Sequence, residues 1–567
     1  MSETNPYASK PWLKYYDEGV PASIDYPEIN ISNFLDDSAK EFGNRSAIWF
    51  LKEKIPYKKL KDFTDRLATA LVEDLGAKKG DVVALMMPNF PQFIIGYYGI
   101  LKAGGIVTAV NPLYTEHELA YQLNDAGAEI IIVWDNQLDK VLKVKERTRL
   151  RHIIISNIFD FAPNANPLGK REPPEIAGTL QLLNLINKTK PKPPKFETNA
   201  KEDLVCLQYT AGTTGLPKGA MLTHYNIASN VYMAAEWIKN VLTRGKETTL
   251  TSMPLVHIYA QTVCMNLGIY QGSTLALHPD ARDQRALFEI VKATHPTAFP
   301  GVPTFYMRLL ERDDLEDYVK DLKSLKVCNT GAAPMPPEVL NEFEERTGAV
   351  ILEGYGMTET SPSTISNPFG GQRKIGSVGL PFPDTEVKLV NIEDYTQIVP
   401  QGESGEIMIK GPQVFKGYLN KPEATANQLK DGWVLTGDIA VMDEDGYFFI
   451  VDRKKDMINV SGFKVFPREV EDLLFEYEKI EKCAVIGVPD TEKPGSEKVK
   501  AYIVLKEGFA ESPEIEAEIK EYCRKNLSPY KVPKFFEFRK ELPESFTGKI
   551  LRKDLKDIEA SRRGEEV

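Results

Sequence analysis

Cysteine is scarce in this sequence, and the few that occur are not paired. The 567 residues include five cysteines, and no two of them form a C-x-x-C pair. A disulfide-stabilised secreted scaffold and a zinc site built on cysteine pairs are therefore excluded. The missing disulfide framework indicates the cytosol as the compartment of the protein. The five are Cys206, Cys264, Cys328, Cys483 and Cys523.

Long apolar runs and an excess of basic residues are also missing. The N-terminal stretch MSETNPYASKPWLKYYDEG has no continuous apolar core, so we expect no secretory signal. The best transmembrane candidate, Phe90 to Val110, contains Pro91, Lys102 and the Gly104-Gly105 pair, which predict a helix, a turn and a strand rather than one span. Lys and Arg number 70 against 81 Asp and Glu, and this net charge of −11 disfavours nucleic acid as a partner.

The chain is too long for one hydrophobic core. Single cores stop growing at roughly 250–300 residues, so at least two domains are expected. A composition of 42% hydrophobic and 27% charged residues is typical of globular proteins. The charged stretch DRKKD, Asp452 to Asp456, marks the predicted boundary between a large domain, residues 1–452, and a small mobile domain, residues 453–567.

Helix and strand patterns alternate in the first part of the chain. The leucines at 60, 67 and 71 share one helical face with Phe63, and the apolar run Val82 to Met87 follows as a strand. A second helix to about Ala103, strands at Ile106 to Val110 and Ala128 to Trp134, and a capping box of Thr115 with Glu118 continue the pattern. This alternation predicts an α/β fold with parallel-rich sheets layered by helices, and ligands at the strand carboxyl ends.

Two later segments depart from this pattern. Residues 159–201 are rich in Pro, Lys and Asn, and they predict a surface excursion before the chain re-enters the core at Asp203 to Tyr209. Near the end, Ser512 and Pro513 mark a helix start, while Cys483 to Val488 and Val499 to Leu505 are strand-like. The second segment predicts a small α+β domain of about a hundred residues.

The run YTAGTTGLPKG, Tyr209 to Gly219, is the clearest ligand-binding pattern. Glycines let backbone N–H groups converge on an anion, threonine hydroxyls add donors, and Lys218 adds a positive charge. The nucleotide-binding P-loop requires G-x-x-x-x-G-K-[ST], but here Pro217 replaces the second glycine and Gly219 the hydroxyl residue. A phosphate-binding loop is therefore favoured over a P-loop, and a plain Gly/Thr turn is the alternative.

The run EGYGMTET, Glu353 to Thr360, is the second such pattern. Tyr355 is suited to lie flat against a purine, and Glu359 is suited to bind Mg²⁺, which proteins often hold by one carboxylate plus phosphates. The small residues Gly331-Ala332-Ala333 would let the main chain approach a planar base. A tight turn is the alternative for EGYGMTET.

Together with LTGD, Leu435 to Asp438, these segments resemble the acyl-adenylate-forming enzymes, which include acyl-CoA ligases and firefly luciferases. The similarity runs from LMMPNFPQF near Leu85 to the final GKILRKDL. The segments MPLVHIYA, VDRKKDMINVSGFKVFPREVE and FRKELPESFTGKILRKDL look most like long-chain fatty acid–CoA ligases. The resemblance implies ATP, Mg²⁺ and coenzyme A as ligands, with ATP and coenzyme A as co-substrates.

The resemblance also assigns roles to residues of the large domain. It implies that a loop holds the β,γ-phosphates of ATP. Tyr355 and Gly331-Ala332-Ala333 would enclose adenine, beside Gly356. Thr358 would contact the α-phosphate. Glu359 would bind Mg²⁺. The loop residues are Thr210, Gly212, Thr213, Thr214, Gly215 and Lys218.

The resemblance also implies roles for residues near the predicted domain boundary and in the small domain. Asp438 and Arg453 would bind the ribose hydroxyls, and Lys455 matches the hinge. Ser461-Gly462-Phe463 would line a tunnel for the pantetheine arm of coenzyme A. Lys549 matches the lysine that neutralises the α-phosphate during adenylation. Just before it, Ser545 and Phe546 depart from the family's commoner residues.

The acyl site is expected beside His257, with Val302 and Gly354. The apolar residues Val263, Met265, Leu267 and Ile269, with the segment GVPTFY, would form a wall for an alkyl chain.

The predicted function is ATP-dependent ligation of a medium- to long-chain fatty acid to coenzyme A through an acyl-AMP. An aryl or coumarate-type acid–CoA ligase is the alternative, and a non-catalytic ATP-binding protein is a further one. A cytoplasmic location is expected. A homodimer and a peripheral contact at the inner face of the membrane are compatible with the resemblance, and the sequence leaves both open.

Overall fold

The chain forms two compact units, and the computed structural model describes residues 5–166, 176–210, 216–493, 495–544 and 550–563. Unit 1 consists of Met1–Pro11, Val387–Met408 and Leu435–Val567. Unit 2 consists of Trp12–Glu386 and Ile409–Val434. The predicted mobile small domain, with its boundary after residue 452, stays a prediction.

The helices of the described residues are distributed along the whole chain. They are α1 (Ser32–Phe42), α2 (Tyr57–Glu73), α3 (Pro91–Lys102), α4 (Glu116–Ala126), α5 (Leu138–Lys145), α6 (Leu182–Lys188), α7 (His224–Trp237), α8 (Leu267–Tyr270), α9 (Gln284–Thr294), α10 (Pro303–Leu310), α11 (Glu316–Leu322), α12 (Pro337–Thr347), α13 (Pro422–Gln428), α14 (Pro467–Phe475), α15 (Pro513–Asn526) and α16 (Arg552–Arg562). None of these helices is both long and apolar enough to cross a membrane, a finding that covers the described residues alone.

The strands fall into three groups along the chain. The first group is β1 (Ser46–Phe50), β2 (Glu53–Pro56), β3 (Val82–Met86), β4 (Ile106–Ala109), β5 (Ile130–Trp134), β6 (His152–Ser156), β7 (Leu180–Gln181), β8 (Leu204–Thr210) and β9 (Lys218–Thr223). The second is β10 (Thr248–Thr251), β11 (Thr274–Leu277), β12 (Ala298–Gly301), β13 (Val327–Thr330), β14 (Val350–Gly356), β15 (Ser363–Ser366) and β16 (Leu380–Pro381). The third is β17 (Glu386–Val390), β18 (Ser404–Lys410), β19 (Leu429–Lys430), β20 (Trp433–Met442), β21 (Phe448–Arg453), β22 (Ile458–Val460), β23 (Phe463–Val465), β24 (Ile480–Pro489), β25 (Glu497–Leu505) and β26 (Phe535–Phe538).

Two large sheets form the framework of unit 2. One has the order β7-β6-β5-β3-β4-β8-β9 and is parallel except for the β8–β9 pair. The other has the order β16-β15-β14-β13-β12-β10-β11-β1-β2, with a parallel centre and antiparallel edges. Apolar residues of β3, β5 and β6 pack against α4 and α5 in one buried cluster. The predicted α/β class with parallel-rich sheets is confirmed.

Unit 1 contains a small α+β region. Strands β24, β25 and β26 form one sheet, with β24–β25 antiparallel and β25–β26 parallel. Helix α15 begins as predicted, because the Ser512 side chain accepts a hydrogen bond from the Ile515 N–H and Pro513 follows at the first helical position. Buried residues of α14, β24, β25 and α15 form the core of this region.

The predicted surface excursion over residues 159–201 is wrong in part. Strand β7 pairs with β6, and α6 buries Leu182, Leu185 and Ile186. The apolar run of α6 is short and lies between stretches rich in Pro and Lys, so the composition of the region does not reveal it. Residues 167–175 lie outside the described residues.

Candidate functional site

The predicted phosphate loop connects two antiparallel strands. Strands β8 and β9 pair with Thr210 opposite Lys218, and β9 leads directly into α7 at His224. The Tyr121 hydroxyl donates a hydrogen bond of 2.9 Å to the Pro217 carbonyl at the base of the loop. A P-loop joins a strand to a helix, so this hairpin is a different structure. Gly212, Thr213, Thr214 and Gly215 lie outside the described residues, and their predicted contacts stay predictions.

Two parallel strands of unit 2, β12 and β13, end beside the middle of their neighbour β14. Gly301 at the end of β12 is in register with Thr330 of β13, and Thr330 is in register with Glu353 of β14. The residue that follows each of these three in the chain is one that the sequence predicts in the site: Val302, Gly331 and Gly354. The structure therefore brings together the predicted acyl and adenine residues, which lie more than 20 positions apart in sequence.

The glycines at this place in the sheet are required because the main chains approach closely. A Cβ on Gly331 would lie 3.2 Å from the Gly354 carbonyl oxygen, and one on Gly356 would lie 1.7 Å from the Pro362 carbonyl oxygen. Ala332 adopts the left-handed conformation at φ 66°. The carbonyl of Tyr355 accepts a hydrogen bond of 2.9 Å from the Thr364 hydroxyl.

Glu359 lies on a short 3₁₀ helix, Thr358–Thr360, directly after β14, and it is 5% exposed. The Tyr418 hydroxyl donates a hydrogen bond to the Glu359 carboxylate. Burial and the Glu359 charge raise the pKa of the Tyr418 phenol well above its usual value. The ammonium group of Lys218 lies 5.2 Å from the centroid of the Tyr418 ring. The structure thus connects two predicted site residues through a tyrosine that the sequence did not indicate.

The chemistry of this region fits Mg²⁺ held by a single protein carboxylate. Across the described parts of the chain, no group of three or more His, Cys, Asp or Glu side chains is arranged to hold a metal ion. Mg²⁺ keeps several waters and is usually held by one or two carboxylates together with substrate phosphates. Strands β8 and β9 and the predicted phosphate loop between them are called the phosphate hairpin. The buried Glu359 beside this hairpin meets the requirement for Mg²⁺.

His257 follows β10 in a loop that Asn89 organises. The Asn89 amide donates hydrogen bonds to the carbonyls of Thr251 and Met253, at 3.0 and 2.9 Å, and accepts one from the Leu255 N–H at 2.8 Å. Asn89 belongs to the segment LMMPNFPQF of the resemblance. The His257 side chain is exposed to solvent, and desolvation by the surrounding protein lowers its pKa.

The apolar wall predicted after His257 lies on a π-helix, Ala260–Asn266, which continues into α8. Short π-helical segments occur often at functional sites. Met265 and Ile269 are fully buried. Val263 and Leu267 line a small cavity on one face of the nine-stranded sheet, together with Ile238, Leu242, Ala298 and Val327. The polar residues Thr249, Gln271, Ser273 and Asn329 also line this cavity, so the predicted alkyl-chain site stays a prediction.

The predicted ribose residues face each other in unit 1. Asp438 of β20 pairs with Arg453 of β21, and their side chains form an ion pair of 3.3 Å. The strand just before Asp438 is held by Glu406, whose carboxylate accepts a hydrogen bond of 3.1 Å from the Gly437 N–H. Glu406 also forms an ion pair of 2.8 Å with Lys454. The structure therefore presents Asp438 and Arg453 side by side.

The predicted hinge and tunnel residues follow in the same unit. Partial desolvation and the charge of Arg453 lower the pKa of Lys455 to about 8. Ser461 and Gly462 form the tight turn between β22 and β23, with Gly462 at φ 90°, and Phe463 begins β23. Phe463 is 57% exposed, and its ring stacks on Tyr530 at 4.7 Å between centroids.

Lys549 lies outside the described residues, but the segment after it is described. Arg552, three positions later, forms ion pairs with Asp452 at 3.2 Å and Asp456 at 3.4 Å. It also forms an ion pair with the buried Glu471 of α14. The chain after Lys549 is thereby attached to the charged segment that contains the predicted hinge.

Comparisons with known proteins agree with this arrangement. The AMP-binding enzyme family matches residues 35–419, and the AMP-binding enzyme C-terminal domain matches residues 469–549. A long-chain-fatty-acid–CoA ligase of Bacillus subtilis strain 168 is 42% identical over 97% of this chain and 98% of its own length.

Solved structures of other proteins share the fold. The anthranilate CoA ligase AuaEII in complex with anthranoyl-AMP is 28% identical with a TM-score of 0.84, over 95% of this chain and 98% of the other. ATP-bound MatB from Rhodopseudomonas palustris is 28% identical with a TM-score of 0.82, over 93% and 98%. The predicted resemblance is confirmed, and the chain belongs to the AMP-binding enzyme family.

Proposed function

We propose that this chain is an AMP-forming long-chain fatty acid–CoA ligase. The single observation that carries the proposal is a sequence identity of 42% to a relative named long-chain-fatty-acid–CoA ligase, over almost the whole of both chains. The clustering of Val302, Gly331 and Gly354 at one place in the nine-stranded sheet supports it.

The first half-reaction joins the acid to AMP. A carboxylate oxygen of the fatty acid attacks the α-phosphorus of ATP, the bond to the β-phosphate oxygen breaks, and pyrophosphate leaves with that electron pair. We assign Lys218 and the phosphate hairpin to the departing phosphates, Thr358 and Lys549 to the α-phosphate, and Glu359 to Mg²⁺. When bound, Mg²⁺ neutralises charge on the phosphates. The protein's contribution is positioning and charge neutralisation, not covalent catalysis.

The second half-reaction forms the thioester. The thiol of coenzyme A attacks the acyl carbon, AMP leaves with the electron pair of its bond to that carbon, and the thiol proton is released. Because coenzyme A supplies the nucleophile, no Ser-His-Asp or Cys-His arrangement is required. We assign the segment Ser461-Gly462-Phe463 to the pantetheine arm and Lys455 to the hinge of a mobile small domain.

Pyrophosphate release tests the proposed function directly. Straight-chain acids of increasing length and a set of cinnamate-like and benzoate-like acids are compared, each with and without coenzyme A. We expect acid-dependent release with straight-chain acids and acyl-CoA formation when coenzyme A is added. Release without dependence on any acid would exclude a ligase, whereas preference for aromatic acids would exclude only the fatty acid assignment.

Location and assembly belong to the same proposal. ATP and coenzyme A are cytoplasmic co-substrates, so we infer a cytoplasmic enzyme. A long-chain acid partitions into lipid, and a peripheral contact at the inner face of the membrane would deliver it. Sedimentation with lipid vesicles tests this contact, and light scattering tests whether the protein is a homodimer.

A further inference from the structure

Tyr418 contacts two residues to which the proposed function assigns different tasks. Its hydroxyl donates a hydrogen bond to the carboxylate of Glu359, the assigned Mg²⁺ ligand. Its ring lies 5.2 Å from the ammonium group of Lys218, the assigned phosphate contact. All three residues belong to unit 2. One side chain thus connects the carboxylate and the lysine.

The main chain around Tyr418 makes the same connection. The Phe415 N–H donates a hydrogen bond of 2.9 Å to the Glu359 carbonyl. The Leu419 N–H donates one of 2.8 Å to the Gly219 carbonyl, and the Gly417 carbonyl accepts one of 2.9 Å from the Met221 N–H. The segment from 415 to 419 is therefore attached both to β9 of the phosphate hairpin and to the 3₁₀ helix that carries Glu359.

The position of the Tyr418 ring is fixed by its surroundings. The residue is 6% exposed, and its ring packs edge-to-face on Phe415 at 5.0 Å between centroids. Its own N–H donates a hydrogen bond of 2.9 Å to the Thr425 hydroxyl. A buried ring with a fixed backbone holds its hydroxyl in one direction, so Glu359 is oriented before any ligand binds.

We propose that Tyr418 is a positioning residue that orients the Glu359 carboxylate for a divalent cation and supports Lys218 beside the nucleotide phosphates. The inference rests on the proposed function, because that function makes Glu359 the metal ligand. Groups that hydrogen-bond a metal ligand set its orientation, and their loss typically lowers metal affinity 10- to 100-fold. The ring supports Lys218 separately, through its attraction for a cation.

The substitution Tyr418→Phe removes the hydroxyl and keeps the ring. The probe is Mn²⁺ with ATP, and the free Mn²⁺ is measured by its electron paramagnetic resonance signal in the absence of acid and coenzyme A. We expect Mn²⁺ affinity in the ATP complex to fall about 10- to 100-fold. ATP affinity without a divalent cation should stay within about twofold, because the ring beneath Lys218 remains. Tyr418→Leu should lower both affinities.

Tyr26→Phe is the matched control. The Tyr26 hydroxyl also donates to a carboxylate, that of Asp384, at 2.9 Å, and it belongs to the same unit. Both phenylalanine variants lose one tyrosine–carboxylate hydrogen bond, and the melting temperature of Tyr26→Phe should fall no further than that of Tyr418→Phe, because the Tyr26 bond is only partly buried. Only Tyr418→Phe should lose Mn²⁺ affinity. Equal Mn²⁺ affinity in Tyr418→Phe and wild type would overturn the inference.

A double-substitution cycle separates positioning from a general loss of structure. If Tyr418 acts through Glu359, adding Tyr418→Phe to Glu359→Gln should lower Mn²⁺ affinity no further. Fully additive losses would also overturn the inference. Wild-type protein that binds no Mn²⁺ with ATP would overturn the proposed function as well, whereas wild-type binding with an unaffected Tyr418→Phe variant would overturn only the role of Tyr418.

Discussion

Gly356 occupies a position where the backbone leaves no room for a side chain. A Cβ at this residue would lie 1.7 Å from the Pro362 carbonyl oxygen, and backbone atoms cannot move as a flexible side chain does. Gly356→Ala should lower the free energy of unfolding by about 3 kcal/mol, at the upper end for overpacking, and displace the neighbouring Tyr355. Thermal melting and pyrophosphate release measure the two effects.

Gly370→Ala is the control for this substitution. A Cβ there would meet its nearest atom, a carboxylate oxygen of Asp17, at 3.6 Å, which is an ordinary contact. We expect near wild-type melting and activity for it. A Gly356→Ala protein that behaves like Gly370→Ala would show that β14 can shift without cost.

His224 gives the protein a stability that depends on pH. Its ring accepts a hydrogen bond of 3.1 Å from the Ile31 N–H, and burial lowers its pKa from 6.5 to about 4 despite the nearby charge of Asp203. Protonation therefore favours the unfolded chain, so this contribution is present above pH 6.5 and is lost as the pH falls towards 4. The full difference amounts to roughly 3 kcal/mol.

His224→Gln should separate this effect from other titrations. At pH 7.5 the variant should melt below wild type, because the hydrogen bond from Ile31 is weakened, and the gap should shrink or reverse at pH 5. Melting temperatures across this range provide the measurement. A gap that stays constant with pH would mean that His224 is not held neutral in the folded protein.

At the scale of single residues, the sequence predicted the candidate site residues whose role depends on a local sequence pattern. Glu359 and Lys218 lie in runs of glycine and threonine, and such runs have a chemical meaning before any fold is known. Tyr418 has no such signal, because it lies between Gly417 and Leu419 in a segment without periodicity. Its contact with Glu359 joins residues 59 positions apart, and only the tertiary fold creates it.

At the scale of elements, the predictions succeeded where helices and strands carry their own end signals. The capping box of Thr115 and Glu118 opens α4 as predicted, and Gly127 ends it in the left-handed conformation. The sequence did not predict strand β9. Lys218 to Thr223 lies between a turn-rich run and a helical pattern, and its residues alone do not indicate a strand. Its strand character comes from pairing with β8, a partner that the local pattern does not show.

Ion pairs of Arg552 connect several elements of unit 1. The guanidinium lies at the start of α16, is 19% exposed, and pairs with Asp452, Asp456 and Glu471. Arg552→Met should leave these carboxylates without their shared cation and lower the free energy of unfolding by about 3–5 kcal/mol. Thermal melting of the full chain at low and moderate salt measures the loss.

Arg562→Met is the matched control on the same helix. Arg562 pairs with Glu537 and Glu559 but is 51% exposed, so solvent screens the pairs and the expected cost is about 0–1 kcal/mol. The contrast between two arginines of α16 tests whether burial, not the number of ion pairs, determines the contribution. Equal losses would contradict this account of unit 1.

At the scale of the whole molecule, the net charge of −11 coexists with two polyanionic co-substrates. The cations assigned to them are few and local: Lys218 in unit 2, and Arg453 and Lys549 in unit 1. Local charge of this kind, with Mg²⁺, binds phosphate groups without making the protein basic overall. The overall charge argued against nucleic acid but carried no information about ATP or coenzyme A, which the motifs supplied.

The two half-reactions should respond differently to the loss of Lys549. The lysine is assigned to the α-phosphate during adenylation, and we propose that a mobile small domain replaces it with the tunnel residues before the coenzyme A thiol attacks. Lys549→Ala should therefore suppress pyrophosphate release from acid and ATP by orders of magnitude, yet leave thioester formation from a supplied acyl-adenylate within about tenfold of wild type. Lys540→Ala, which removes an exposed lysine of the same unit, should affect neither step. Equal loss of both steps in Lys549→Ala would refute a small domain that presents different groups in turn.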